Sequence, residues 1–220
     1  MNHIIKQEIE NVMLDFSTNG KVFFNETNFQ NEFAIEIEKR LSKLGNYELT
    51  LEYSPNFNKY RIDLLISSLC SREKIIIEFK YVVKAQLIKI SNSNLSINLK
   101  YQGAYDVRRY QIWRDISKIE DLVKNKKCSE GYFILLTNYD NLIIPIHSTN
   151  IDYYFDVSAG KRPLKVGSLF WNKNCPKYNS GKTIKRYPNK INIYKTYNFS
   201  YIKYIFKNYS NFKYLFLLIV

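Results

Sequence analysis

The chain has 220 residues, 45% hydrophobic and 16% aromatic, which suits one sizeable α/β core and is too apolar for disorder. Its three cysteines, Cys70, Cys128 and Cys175, show no CxxC spacing, which excludes a disulfide framework or a zinc site and points to a reducing, cytoplasmic setting. The net charge of +13 is uneven: Met1–Asp156 carries 20 Lys+Arg against 20 Asp+Glu, whereas Val157–Val220 carries 13 Lys+Arg and no acid.

The opening stretch MNHIIKQEIENV has early acids and no small-residue cleavage site, so no signal peptide is expected. Ile5, Ile9, Val12, Met13 and Phe16 recur at helical spacing over His3–Phe16. A second helix is predicted from Thr27-x-x-Gln30, read as a capping box, to Gly45, with Phe33, Ile37, Leu41 and Leu44 as its apolar stripe. Glu32 and Glu36 lie on its flank. Strand-like runs follow at Tyr47–Tyr53, Lys59–Ser67 and Lys74–Val83. Lys84–Lys100 is polar and poorly periodic, and reads as a loop. Helical period returns in GAYDVRRYQIWRDISKIEDLVKN, with Ile112, Ile116, Ile119 and Val123 on the buried face. GYFILLTN is then a buried strand. From Tyr139 the chain is basic and Tyr-rich, with a loop-like middle and a terminal apolar run, YLFLLIV, too short for a bilayer and expected to return to the core as a strand. His147, after LIIPI, reads as a partly buried structural residue. The GKT of NSGKT lacks the upstream glycine of a phosphate-binding loop.

The chemistry concentrates in YRIDLLISSLCSREKIIIEFKYV, Tyr60–Val82. Side chains alternate along a strand, so Ile62, Leu64, Ile66, Ile75, Ile77, Phe79 and Tyr81 fall on one face. Asp63, Leu65, Ile76, Glu78 and Lys80 fall on the other. A turn centred between Cys70 and Ser71 places Asp63 opposite Glu78. Like charges at that spacing repel, and a divalent cation between them would relieve the repulsion. Lys80, one pleat on, could orient a water or neutralise charge developing on a phosphate. The plainer reading is a half-exposed strand with a Glu–Lys pair.

Asp63 followed by Glu78-Phe79-Lys80 resembles the motif of the PD-(D/E)xK nuclease superfamily, with Ile62 where the name has proline. The element order is similar to that family's core: helix, three-stranded meander, helix, strand. The helix around Gln102, Asp106, Arg109, Tyr110 and Asp115 resembles that of bacterial restriction- or defence-type members. GYFILLTN and FKYLFLLIV resemble the strands that complete the core. The resemblance implies a restriction-endonuclease-like α/β core over 1–138, including the N-terminal helix. It leaves 139–220 as a basic extension of the same domain that packs back on the core. It implies an Mg²⁺-dependent nuclease, with Mn²⁺ as a substitute, cutting DNA ahead of RNA and internally ahead of ends, in restriction or anti-phage defence. Asp63, Glu78 and Glu32 are then the metal ligands, with Glu36, one turn from Glu32, competing for its place, and Lys80 and Gln102 complete the catalytic set. Arg109, Lys161, Arg162, Lys185 and Arg186 would bind the nucleic acid, since lysine and arginine gain affinity by displacing phosphate counterions. A second copy of the chain or a defence complex would be the protein partner, and no membrane is involved. The alternative is an inactive nucleic-acid-binding or assembly subunit that retains the fold.

Overall fold

Two amphipathic helices open the chain in the computed structural model, which describes residues 2–54, 61–89, 96–176, 178, 182–187, 190–205 and 211–220. In α1 (Asn2–Thr18), Ile5, Ile9, Val12, Met13 and Phe16 are all buried, as their spacing predicts. In α2 (Glu26–Leu41), Asn25 is the N-cap, its side chain accepting from the Asn28 amide. The expected capping box is therefore misplaced: Thr27 and Gln30 lie inside the helix, and Glu26 occupies its first turn, where an acid favours the helix dipole. The helix ends at Leu41, and Leu44 lies beyond it, 47% exposed.

Three antiparallel strands follow: β1 (Tyr47–Tyr53), β2 (Ile62–Ser68) and β3 (Lys74–Val82). The start expected for β2, Lys59 and Tyr60, lies outside the described residues. The segment expected to be a loop contains an antiparallel hairpin, β4 (Gln86–Lys89) with β5 (Ser96–Leu99). Alternating burial of Ile88, Ile97 and Leu99 holds it to the core. The polar faces of those short strands masked the period. Next come α3 (Tyr105–Lys124) and β6 (Glu130–Thr137), and β6 is buried along its whole length. The rest comprises α4 (Asp140–Ile143), a single 3-10 turn (Tyr153–Phe155) and short elements: β7 (Gly160–Arg162), β8 (Gly167–Leu169), α5 (Lys182–Arg186), β9 (Ile191–Ile193), β10 (Tyr197–Phe199) and β11 (Ile202–Lys203). The chain closes on β12 (Lys213–Ile219).

The main sheet runs β1-β2-β3-β6-β12-β11. Among the described residues only β3 and β6 pair in parallel, joined by the crossover that contains α3; β12 returns antiparallel to β6, the core strand expected of the terminal run. The molecule is thus mixed α/β. On one face α1, α2 and the β4–β5 hairpin bury Leu64, Ile66, Ile75, Ile77, Phe79 and Tyr81. On the other, α3 covers Leu65, Ile76, Phe133 and Leu135. Ile62 departs from the expected alternation and joins this second layer. In α3, Ile112, Ile116 and Ile119 are buried as expected, together with Tyr110, Trp113 and Leu122, while Val123 is only partly covered. Gly131 of β6 permits the close approach of α3: a Cβ there would collide with Ile119 and Ile76.

The extension is fastened to the outer side of α3. Buried Glu120 accepts hydrogen bonds from the Tyr194 and Lys195 amides and the Tyr197 hydroxyl. Ser117 donates to the Asn192 carbonyl, and the Trp113 indole to the Asp156 carbonyl. His147 is exposed rather than partly buried, its ring bonded to Thr149. Among the described residues no helix is long and apolar enough to cross a membrane.

Candidate active site

The β2–β3 ladder carries the expected register from Ser67↔Lys74 to Leu64↔Ile77 and then stops. Extending that register by one residue sets Asp63 against Glu78, and the Asp63 charge does act on Glu78. Beyond Ile77 the free edge of β3 is taken by acidic side chains. The Phe79 amide donates to Asp63 Oδ2 at 2.7 Å, and the Tyr81 amide to Glu26 Oε2 at 2.9 Å. The strands therefore separate where the carboxylates begin. Through that opening Glu26, on the α2 side of the sheet, reaches Lys80.

Glu78 is almost wholly buried. Its Oε2 lies 2.6 Å from Lys118 Nζ of α3, and its Oε1 has no hydrogen-bond partner among the described residues. An unpaired buried carboxylate oxygen costs free energy. Burial first, and Asp63 second, push the Glu78 carboxyl well above its ordinary range, against the opposing pull of Lys118. Burial likewise raises Asp63 to about 6, partly countered by the Phe79 amide and Lys118.

Lys80 points into the same layer. Its Nζ stands 2.9 Å from Asp115 Oδ2, in an ion pair that leaves that oxygen without an aligned hydrogen bond, and 3.5 Å from Glu26 Oε1. Burial alone would lower the Lys80 ammonium, but Asp115 and Glu26 outweigh it and hold the group above its usual value. Lys80 is therefore placed as a cation and hydrogen-bond donor rather than a general base.

Above this cluster, between α3 and β9, lies a cleft of roughly 530 Å³ whose lining includes Asp115 and Lys118 with Arg61, Arg114 and Lys190. Asp115 is buried, whereas Arg61, Arg114 and Lys190 are exposed. The cleft thus has a basic rim over a mixed acid–lysine floor. A second cavity of roughly 460 Å³, bordered by Tyr154, Leu164 and Phe170, contains none of the cluster residues.

Several expected site residues stand elsewhere. Glu32 pairs with Lys21 at 2.8 Å; six residues beyond Glu26, it lies about 9 Å further along the helix axis. Glu26 is the α2 acid that reaches the cluster. Gln102 precedes α3, with its backbone N–H donating to the Val83 carbonyl and its backbone carbonyl accepting from Arg108. Arg109 is not available to a phosphate: it is buried, with its guanidinium spent on Asp152 and the Leu142 and Asn141 carbonyls. Arg162 is also committed, to Asp156 at 3.1 Å and Ser158 at 2.5 Å. Lys161, Lys185 and Arg186 are exposed.

Glu26 and Lys118 join the cluster although the motif does not include them. Their signals were the Asn25 N-cap, which puts Glu26 in the first turn, and the three-residue step from Asp115 to Lys118 on one helix face. Among the described residues no three His, Cys, Asp or Glu side chains gather as a ready-made metal cage. Compared with family models, characterised proteins and solved structures, the chain matches none.

Proposed function

We propose that the chain is a metal-dependent phosphodiesterase acting on DNA, a nuclease of PD-(D/E)xK type with a restriction-endonuclease-like core. The observation that carries the reading is the pair Asp63–Glu78, with an orphaned Glu78 Oε1, beside the caged ammonium of Lys80. The side chains that Asp63 and Glu78 offer are carboxylates, the donors that Mg²⁺ selects. Mg²⁺ commonly takes one or two carboxylates and completes its shell with waters and substrate phosphates, so a two-acid site suffices.

Asp63 and Glu78 would hold Mg²⁺, with Mn²⁺ as a substitute. When bound, the ion supplies Lewis-acid polarisation of a phosphoryl oxygen. Lys80 remains charged and donates hydrogen bonds toward the scissile phosphate or attacking water, while Asp115 and Glu26 fix its position. Arg61, Arg114 and Lys190 draw the phosphate backbone to the cleft.

A second reading, a non-cleaving nucleic-acid-binding subunit, draws on the ion pair between Lys118 and Glu78, which already engages one acid of the set. Incubating the protein with plasmid, linear DNA and RNA, in Mg²⁺ or Mn²⁺ against EDTA, separates the two. Metal-dependent cleavage of DNA that disappears in Asp63→Ala and Lys80→Ala supports the nuclease. Binding with no cleavage of any substrate in either metal supports the subunit.

A further inference from the structure

Resting on the metal-site reading above, we propose that Lys118 is an exchangeable internal counter-ion: it neutralises Glu78 in the metal-free protein, leaves when a divalent cation binds, and then contacts a substrate phosphate in the cleft. Its Nζ is held at two points, 2.6 Å from Glu78 Oε2 and 2.7 Å from the Arg61 carbonyl. Both bonds are made by the tip of a flexible four-carbon stem. The same residue lines the basic cleft. Rotation about its side-chain bonds can therefore move the ammonium from the buried acid to the cleft while α3 stays in place.

The electrostatics favour exchange over coexistence. Asp63 and Glu78 together carry two negative charges when ionised, and Lys118 offsets one. A divalent ion offsets both, and would repel an ammonium held at the same oxygen. Lys80 differs in kind. Its partners are Asp115 and Glu26, outside the proposed ligand pair, so a cation on Asp63 and Glu78 leaves its cage intact. Of the two lysines, one is fixed and the other exchangeable. Release of Lys118 adds a positive charge to the cleft only when the metal is present, which couples metal binding to substrate binding.

The test is calorimetric titration of Mn²⁺ into wild type, Lys118→Met, Lys118→Gln and Lys118→Arg. Removing a competing charge-assisted bond should tighten Mn²⁺ binding about tenfold in Met and Gln. Arg, which retains the charge, should bind close to wild type. The Gln variant can still donate to Glu78, which covers the case in which Met does not fold. In a parallel arm, a short DNA duplex is titrated in Ca²⁺ and in EDTA. The Met or Gln variant should bind the duplex several-fold more weakly than wild type in Ca²⁺ and equally well in EDTA. If wild type binds Mn²⁺ and the folded variants bind it no more tightly, the exchange is wrong and the metal site stands. If neither wild type nor any variant binds Mn²⁺, the metal-site reading falls and the exchange falls with it.

Discussion

Burial pushes Asp63 up to about 6 from an ordinary 3.8, with Asp115 and Glu26 adding to it, so the folded state holds this proton more tightly than the unfolded chain. Stability linked to this group therefore falls as pH rises from about 4 to about 6 and stays lower above it. A shift of this size corresponds to roughly 3 kcal/mol at neutral pH. Asp63→Asn keeps an oxygen for the Phe79 amide and removes the charge facing Glu78. The variant should melt higher than wild type at pH 8 without metal, by about 1–3 kcal/mol in stability, and match it at pH 4. It should also lose metal-dependent cleavage. Thermal unfolding across that pH range checks the first part; equal differences at both ends would mean that Asp63 is not strained by its charge. Arg109 shows what residue-level reading could not reach. As a cation one residue from Arg108 it looks like a surface charge, and only Asp152 and two carbonyls more than thirty positions away reveal it as a buried strut. Glu26 was hidden differently: an N-cap placed at Thr27 puts it outside the helix that aims it.

At the scale of elements, long-period signals were legible and short ones were not. The stripes of α1, α2 and α3 and the apolar runs of β2, β3 and β6 reflect burial against whole layers, which leaves a repeated pattern in sequence. The β4–β5 hairpin buries Ile88, Ile97 and Leu99 among polar neighbours, too few for any period to stand out. The junction that positions Asp115 and Lys118 is the packing of α3 on β6 and β3 at Gly131. A methyl group there meets Ile119 and Ile76, both buried. Gly131→Ala should destabilise the fold by about 1–3 kcal/mol through overpacking, and it should lower activity by displacing α3 above the acids. Ile119→Ala in the same chain should recover part of the activity, because it opens the space the methyl needs. Denaturant melts with cleavage rates on the two single variants and the double variant measure the coupling. Strict additivity would show that Gly131 and Ile119 do not share this contact.

The whole molecule divides its charge by sequence but not by space. The acid-free segment Val157–Val220 supplies Lys190 to the cleft, whereas Arg61 and Arg114 come from the neutral part of the chain. Composition alone therefore points to a different set of cations from the one that rims the cleft. Arg162 lies within the segment yet serves Asp156, and Arg109 serves Asp152. Under the proposed nuclease reading, the cations that would meet the phosphate backbone are those of the cleft rim. Neutralising Arg61, Arg114 and Lys190 together should weaken binding to every DNA sequence and flatten the slope of log affinity against log salt by about 0.9 for each duplex phosphate no longer engaged. Neutralising Lys161, Lys185 and Arg186, exposed but outside that lining, should change the slope less. Arg61 also pairs with Glu52, so an Arg114 and Lys190 double variant isolates the cleft from that ion pair. Binding of one fluorescent duplex across a salt series, in Ca²⁺ to prevent cleavage, compares the two sets directly. A larger slope change for Lys161, Lys185 and Arg186 would move the proposed nucleic-acid track off the cleft and onto these exposed residues of the extension.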